Sequence, residues 1–326
     1  MNSENFTQKL YDALQKAETI ALSAHINADG DAIGSTLAMA AALEAMGKKP
    51  VVFLYYKGSK FDYILDREKI YTGNKQTVKP DVFISLDCGD IFRLGDKGRS
   101  VFENSPLTFN IDHHISNIGY GDYNYIFPEA SSTCELVYEV IKGFPGFKLT
   151  KYIAECLYTG LITDTYSFKH SSTGRRTLEI AADLIETGID FSEIQAATLY
   201  RKDMAEAKIH AKALLNAELE GKTAYTTLTL KEIRSVGAIF EQLSGIAESC
   251  LNITGADVSV FVYDKGNGTI RCSFRSMGID VNKVAMDLGG GGHVRAAGCT
   301  LENSTVEDAL EKCLKGIREK IERESK

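Results

Sequence analysis

No apolar run in this sequence approaches the ~18 residues that a bilayer-spanning helix needs. Paired cysteines are also missing: seven stand singly at 88, 134, 156, 250, 272, 299 and 313, with no CxxC among them. A disulfide framework or zinc knuckle is therefore not expected, and reduced thiols fit better. Positive charge is in deficit, since 37 Lys and Arg against 44 Asp and Glu leave −7. That balance argues against a protein that coats long nucleic acid through bulk charge. A small phosphate ester held at a bound cation stays compatible, because the ion inverts the local field. Residues 1–17 lack the apolar centre of a signal peptide; Glu4, Lys9, Asp12 and Lys16 run through them, and they read as an amphipathic helix. Repeats and low-complexity segments are absent. The expectation is a cytoplasmic protein with no membrane partner.

What is present is globular: 44% apolar and 25% charged residues over 326 positions, enough for two domains. Apolar strand-like runs at 19–24, 50–55, 81–86 and 107–111 alternate with helical stretches at 32–46 and 91–104. The stretch 57–80 is polar and mixed and is left unassigned, and 120–127 adds a further strand. Helices are expected at 132–142, 150–163 and 174–186. Strand–helix alternation of this kind implies a mostly parallel sheet with flanking helices. Residues 191–217 carry many charges on one or two helices and read as a helical linker. Beyond it come strands at 223–230, 258–263 and 269–274, a Gly266-Asn267-Gly268 hairpin turn, and helices at 281–287 and 305–324. The fold class is thus α/β, with an N-terminal domain over 1–190, a linker over 191–217, and a smaller α+β domain over 218–326.

Polar residues gather where the strands end. His25-Ile26-Asn27-Ala28-Asp29-Gly30-Asp31 lies between the first strand and the first of these helices. Two neighbouring carboxylates repel and call for a cation or a shared proton. A histidine beside them suits Mn²⁺ or another divalent ion of mixed N/O preference. The plainer alternative makes Asp31 a helix cap, Asp29 a turn former and His25 a satisfied strand-end histidine. Asp87 closes the third strand, Asp112-His113-His114 follows the fourth, and Asp164 lies in Thr163-Asp164-Thr165. In a parallel sheet these strand ends share one edge, where ligands bind. Four carboxylates and two imidazoles suffice for two divalent ions, and the cysteine-free set disfavours structural zinc.

These motifs, in this order, resemble the DHH phosphoesterases. Arg275-Ser276, Asp280-Val281 and the Gly289–His293 run resemble the DHH-associated C-terminal domain. Length and layout look like the branch that cuts short oligoribonucleotides (nanoRNA) and 3′-phosphoadenosine 5′-phosphate (pAp). The resemblance implies two divalent ions, Mn²⁺ first with Mg²⁺ or Co²⁺ as substitutes. His25, Asp29 and Asp87 would hold one ion. Asp31, Asp87, His113 and Asp164 would hold the other, Asp87 bridging, with Asp112 orienting the histidine pair. Asp87, His113 and His114 would form the catalytic group, with His114 facing the substrate phosphate. Arg275, Ser276, Gly290, Gly291 and His293 would receive the other end of the nucleotide across a cleft between the domains, and Arg295 is a weaker candidate. The expected partners are short RNA or nucleotides, not long strands, and a homodimer is compatible. A stand-alone phosphodiesterase of cyclic dinucleotides or their linear products is the alternative. A non-catalytic nucleotide-binding regulator is the alternative of another class. Family members often have Pro at Ala28 and Gly at Tyr166. Alanine implies a looser loop; the tyrosine either narrows the pocket, stacks on a base or packs inward.

Overall fold

The computed structural model describes residues 2–56, 60–65 and 78–324. The unassigned stretch at 57–80 lies largely outside them. The chain forms two compact units, 1–201 and 202–326.

In the first unit five strands form one parallel sheet in the order β2-β1-β3-β4-β5. They are β1 (Ile20–Ser23), β2 (Val51–Phe53), β3 (Val82–Leu86), β4 (Thr108–Asp112) and β5 (Tyr123–Ile126). Every residue of β1, β3 and β4 is buried. Strands covered on both faces require such continuous apolar runs, and this is why the sequence shows them. Around the sheet pack α1 (Ser3–Lys16), α2 (Gly30–Ala45), α3 (Gly95–Glu103), α4 (Thr133–Lys142), α5 (Lys151–Asp164), α6 (Arg175–Glu186) and α7 (Phe191–Gln195). α1 shows the usual logic: Asn2 caps its first turn, and Phe6, Leu10 and Leu14, four apart, sink into the core. After β1 the chain crosses α2 to β2 on one side, then returns to β3 on the other. The strand order therefore reverses between β1 and β3, which opens a crevice at their carboxyl ends.

α2 is apolar nearly all round and buried, with α5 running against it. Glycines make that approach possible. A Cβ on Gly34 would stand 2.3 Å from the Cys156 carbonyl oxygen, and one on Gly160 would stand 2.2 Å from Cys134 Sγ. A Cβ on Gly30 would meet Thr163 at 2.4 Å, so the start of α2 faces the end of α5.

The second unit contains α8 (Met204–Leu215), α9 (Leu230–Ser235), α10 (Ile246–Leu251), α11 (Val281–Asp287) and α12 (Val306–Glu324). Its sheet runs β10-β11-β9-β8-β7-β6 and is antiparallel except at β7·β8. The strands are β6 (Glu218–Glu220), β7 (Thr223–Leu228), β8 (Val258–Gly266), β9 (Thr269–Ser276), β10 (Gly291–His293) and β11 (Ala296–Leu301). The expected hairpin turn joins β8 to β9, with φ of 97°, 54° and 74° at Gly266, Asn267 and Gly268. β9 alternates: Ile270, Cys272 and Phe274 are buried, while Arg271, Ser273 and Arg275 lie half-buried on the other face.

The stretch expected as a linker is divided between the units. α7 packs on α5 in the first, whereas α8 contributes Ile209 and Ala213 to the core of the second. Their charged faces mark the solvent side of helices that each have a buried side as well. No helix among the described residues is long and apolar enough to cross a membrane.

Candidate metal centre

The strand-end residues converge at the β1/β3 crevice. His25 follows β1 and its Nδ1 lies 2.8 Å from the Ile26 carbonyl oxygen, which turns Nε2 toward the acids. His25 Nε2 is 3.7 Å from Asp29 Oδ2 and 3.6 Å from Asp87 Oδ2. His113 Nε2 is 3.1 Å from Asp164 Oδ2, 3.7 Å from Asp87 Oδ1 and 3.9 Å from Asp31 Oδ2. Three groups of candidate ligand atoms result, each within 4.8 Å: His25–Asp29–Asp87, Asp31–His113–Asp164 and Asp87–His113–His114. Asp87 belongs to two of them. Asp164 reaches the centre because the glycine-packed α5 ends there.

Both readings of the acidic loop hold in part. Asp29, not Asp31, caps α2, its Oδ1 accepting from the backbone N–H of Asp31 and Ala32 at 3.1 Å each. Its other oxygen, Oδ2, is the one near His25. The Ala28 N–H donates to the Tyr55 carbonyl at 3.3 Å, a bond that proline could not make. The loop is therefore tied at this point, against the looseness expected from alanine.

The sequence places a helix at 132–142, as found, but does not show that the start of α4 reaches the acidic site. Buried Asp31 accepts from the N–H of Thr133 at 2.6 Å on Oδ2 and of Cys134 at 2.8 Å on Oδ1, and Thr133 Oγ1 donates to Asp87 Oδ1 at 3.0 Å. A helix N-terminus thus holds the carboxylate and leaves further lone pairs open. The only sequence signal was Ser131-Ser132-Thr133 ahead of a helix, which also reads as an ordinary cap. Asp112 meets both histidines, the His113 backbone N–H donating to its Oδ1 at 2.9 Å. Its Oδ1 lies 2.7 Å from His114 Nδ1, and its Oδ2 accepts from Asn117 at 2.6 Å. The His113 ring instead faces the Ala130 carbonyl at 3.3 Å.

Electrostatics test whether the set fits a cation. Burial opposes charge on His25, but hydrogen bonding to Asp29 and Asp87 outweighs it and raises the pKa to about 10. His113 is raised to about 11, with Asp164 outweighing the same penalty. Burial, then Asp87 and Asp164, push Asp31 well above the carboxylate range. Burial is also the main cause raising Asp164 to about 6. Carboxylates this crowded and this buried demand positive charge, and the mixed oxygen–imidazole donors fit a divalent ion.

Backbone strain collects here. Five of the seven non-glycine residues with positive φ among the described residues are Asn27, Asp87, Tyr166, Ser167 and Phe168. Such conformations cost about 1–3 kcal/mol each and persist only where surroundings impose them.

In the second unit, Arg275 is ion-paired with Glu248, and its Nη1 donates to the Phe274 carbonyl at 2.8 Å. The buried Ser276 hydroxyl accepts from Gly278 and Ile279, so it shapes a turn. The glycine run, read as a phosphate loop, forms β10 and its lead-in. A Cβ on Gly290 would lie 2.2 Å from the Gly298 carbonyl oxygen, so glycine is needed there for packing. Gly291 pairs with Gly298, and exposed His293 with Ala296. The Arg295 carbonyl accepts from the Ser276 N–H at 3.0 Å, and this contact places its backbone beside the turn.

A parallel sheet with acids and imidazoles at its switch point, followed by a mixed-sheet unit, is the architecture of one class of protein. The chain belongs to the DHH family: the DHH family N-terminal domain matches residues 19–161 and the DHHA1 domain matches 220–323. It is similar to the bifunctional oligoribonuclease and PAP phosphatase NrnA of Thermus thermophilus, 29% identical over 93% of this chain and 90% of that one. The Bacillus subtilis protein of the same name is 27% identical over 90% and 91%. Among solved structures, an exopolyphosphatase-related protein from Bacteroides fragilis superposes with TM-score 0.88 at 24% identity, covering 98% of this chain and 96% of that one.

Proposed function

We propose that this protein is a divalent-metal-dependent phosphoesterase that hydrolyses short oligoribonucleotides to mononucleotides and pAp to AMP and phosphate. The observation that carries the reading is the convergence of His25, Asp29, Asp31, Asp87, His113 and Asp164 in three groups that share Asp87 and His113, the ligand atoms of each group lying within 4.8 Å of one another. Similarity over most of the chain to two oligoribonuclease and PAP phosphatase proteins narrows the substrate class.

His25, Asp29 and Asp87 would hold one ion, and Asp31, Asp87, His113 and Asp164 the second, with Mn²⁺ favoured by the donor mixture. Bound ions supply Lewis-acid polarisation of the phosphoryl group and acidify water. The chain's own part is geometric. The α4 N–H groups lock Asp31, and Thr133 fixes one oxygen of Asp87. Asp112 holds the proton of His114 on Nδ1, which fixes the ring for contact with a substrate phosphate oxygen. Arg275, Gly290, Gly291 and His293 would bind the part of the nucleotide remote from the scissile phosphate, Arg275 through charge-assisted hydrogen bonds. Ser276 would act by shaping the turn beside Arg275.

The test is a rate panel with Mn²⁺-loaded protein: pAp, RNAs of two to five nucleotides, a twenty-nucleotide RNA, pGpG, pApA and cyclic dinucleotides. Highest rates on pAp and the two- to five-mers support the reading. Rates that hold or rise at twenty nucleotides reject it, as does a preference for cyclic dinucleotides. Absence of turnover on every substrate points to the regulator alternative.

A further inference from the structure

The turn after Asp164 is unusual. Tyr166, Ser167 and Phe168 follow one another at φ of 47°, 55° and 65°, three left-handed residues with full side chains. Thr165 organises the turn. Its carbonyl accepts from Lys169 and His170 at 2.8 and 2.9 Å, and its hydroxyl accepts from the Phe168 N–H at 3.0 Å. The Ser167 N–H returns to the Ile162 carbonyl at 2.8 Å, and His170 Nδ1 sits 2.8 Å from the Asp164 carbonyl oxygen. Of the three strained residues, only Phe168 packs against the unit's core.

The other side chains go elsewhere. The rings of Tyr166 and His170 lie nearly parallel, 16° apart with centroids at 6.0 Å. Lys169 Nζ stands 5.3 Å from the centre of the tyrosine ring. Tyr166 is half-buried, and Lys169 and His170 are exposed. Core packing thus does not account for a bulky ring in a left-handed position that glycine occupies without strain. The turn holds two flat rings and an ammonium beside a carboxylate of the candidate centre, with His170 tied to the backbone of that same residue.

We infer that Tyr166 and His170 form a stacking platform for the nucleobase next to the scissile phosphate, with Lys169 contacting a neighbouring phosphate. Stacking on flat rings is available to every base, so the platform selects for a nucleotide without choosing its sequence. This inference rests on the reading under "Proposed function" for the position of the phosphate, and it adds a base-recognition element to the first unit.

The experiment measures binding of AMP and of ribose 5-phosphate to metal-loaded protein by calorimetry, with kcat and KM for diadenylate alongside. A stacking ring supports the base and not the sugar phosphate. Tyr166→Ala is therefore expected to weaken AMP by about tenfold while shifting ribose 5-phosphate much less, and to raise KM for diadenylate more than it lowers kcat. His170→Ala acts in the same direction, and Tyr166→Phe retains the AMP preference. Tyr166→Gly loses the preference but melts no lower than the parent, since glycine relieves the left-handed strain. That outcome separates base recognition from a role in folding. Equal shifts for AMP and ribose 5-phosphate, or none for either, overturn the platform. AMP binding that depends on Tyr166 in a protein hydrolysing no phosphoester overturns the proposed reaction and leaves the platform standing.

Discussion

In the first unit Asp31, Asp87 and Asp112 are at most 2% exposed, at the ends of parallel strands or of the loops that leave them. In the second unit, among the described residues, no carboxylate is buried, and the charged residues of β9 lie half-buried on one face. The contrast follows from strand direction. Parallel strands bring their carboxyl ends to one edge, and the reversal of order between β1 and β3 opens a crevice there, so side chains from distant segments converge. Antiparallel β9 alternates buried Ile270, Cys272 and Phe274 with a polar face, which spreads Arg271, Ser273 and Arg275 along a surface. One unit gathers charge at a point, and the other distributes it along a face.

The largest effect should come from Asp87, which belongs both to the ligand group of His25 and to a group of His113. Asp87→Ala is expected to lower kcat/KM by on the order of 10³-fold, since ions at such centres supply several kcal/mol of stabilisation. Metal content by atomic spectroscopy should fall with it. Undiminished turnover would erase the proposed division of labour between the units.

Metal removal comes next. Chelation should leave the carboxylates of the first unit crowded without compensation and lower its melting temperature by roughly 5–10 °C, as expected for loss of a ligand held well above its Kd. The second unit, followed by hydrogen exchange at β8 and β9, should keep its protection. Equal loss in both units would break the comparison.

Arg275→Ala tests the other side. Loss of a charge-assisted contact costs about 1.5–3 kcal/mol, so KM for pAp should rise roughly ten- to a hundredfold with metal content unchanged. Loss of metal in this variant would mean that the second unit helps to build the ion site.

The smallest effects are structural. Gly160→Ala would drive a Cβ to 2.7 Å from Asp31 Oδ1, and Gly290→Ala would drive one into β11. Each should destabilise its own unit by about 1–3 kcal/mol in denaturant melts. Only Gly160→Ala should also disturb metal binding.

Much of the first unit was legible because fully buried parallel strands must be continuous apolar runs, and because His25, Asp87 and Asp112 mark where three of them stop. The second unit was less legible. Gly290 and its neighbours carry no hydrophobic pattern, so their pairing with β11 left no signal of period two. The linker at 191–217 misled because charge pattern reveals the wet side of a helix and says nothing of what its other side touches. Ile209 and Ala213 needed a partner in space to be read as core.

The residue types at the centre, their order and their strand-end spacing were determined by the sequence alone, since strand ends follow from local hydrophobicity and turn chemistry. Three features depend on approach between distant segments and were decided only by the tertiary structure. The N–H groups of Thr133 and Cys134 reach Asp31 across 102 and 103 residues. Asp164 arrives at the ligand cluster because Gly34 and Gly160 let α2 and α5 close on each other. Tyr166 turns its ring to His170 because Thr165 binds the strained turn. Side-chain chemistry is written locally, but which groups share a site depends on how closely two backbones pack.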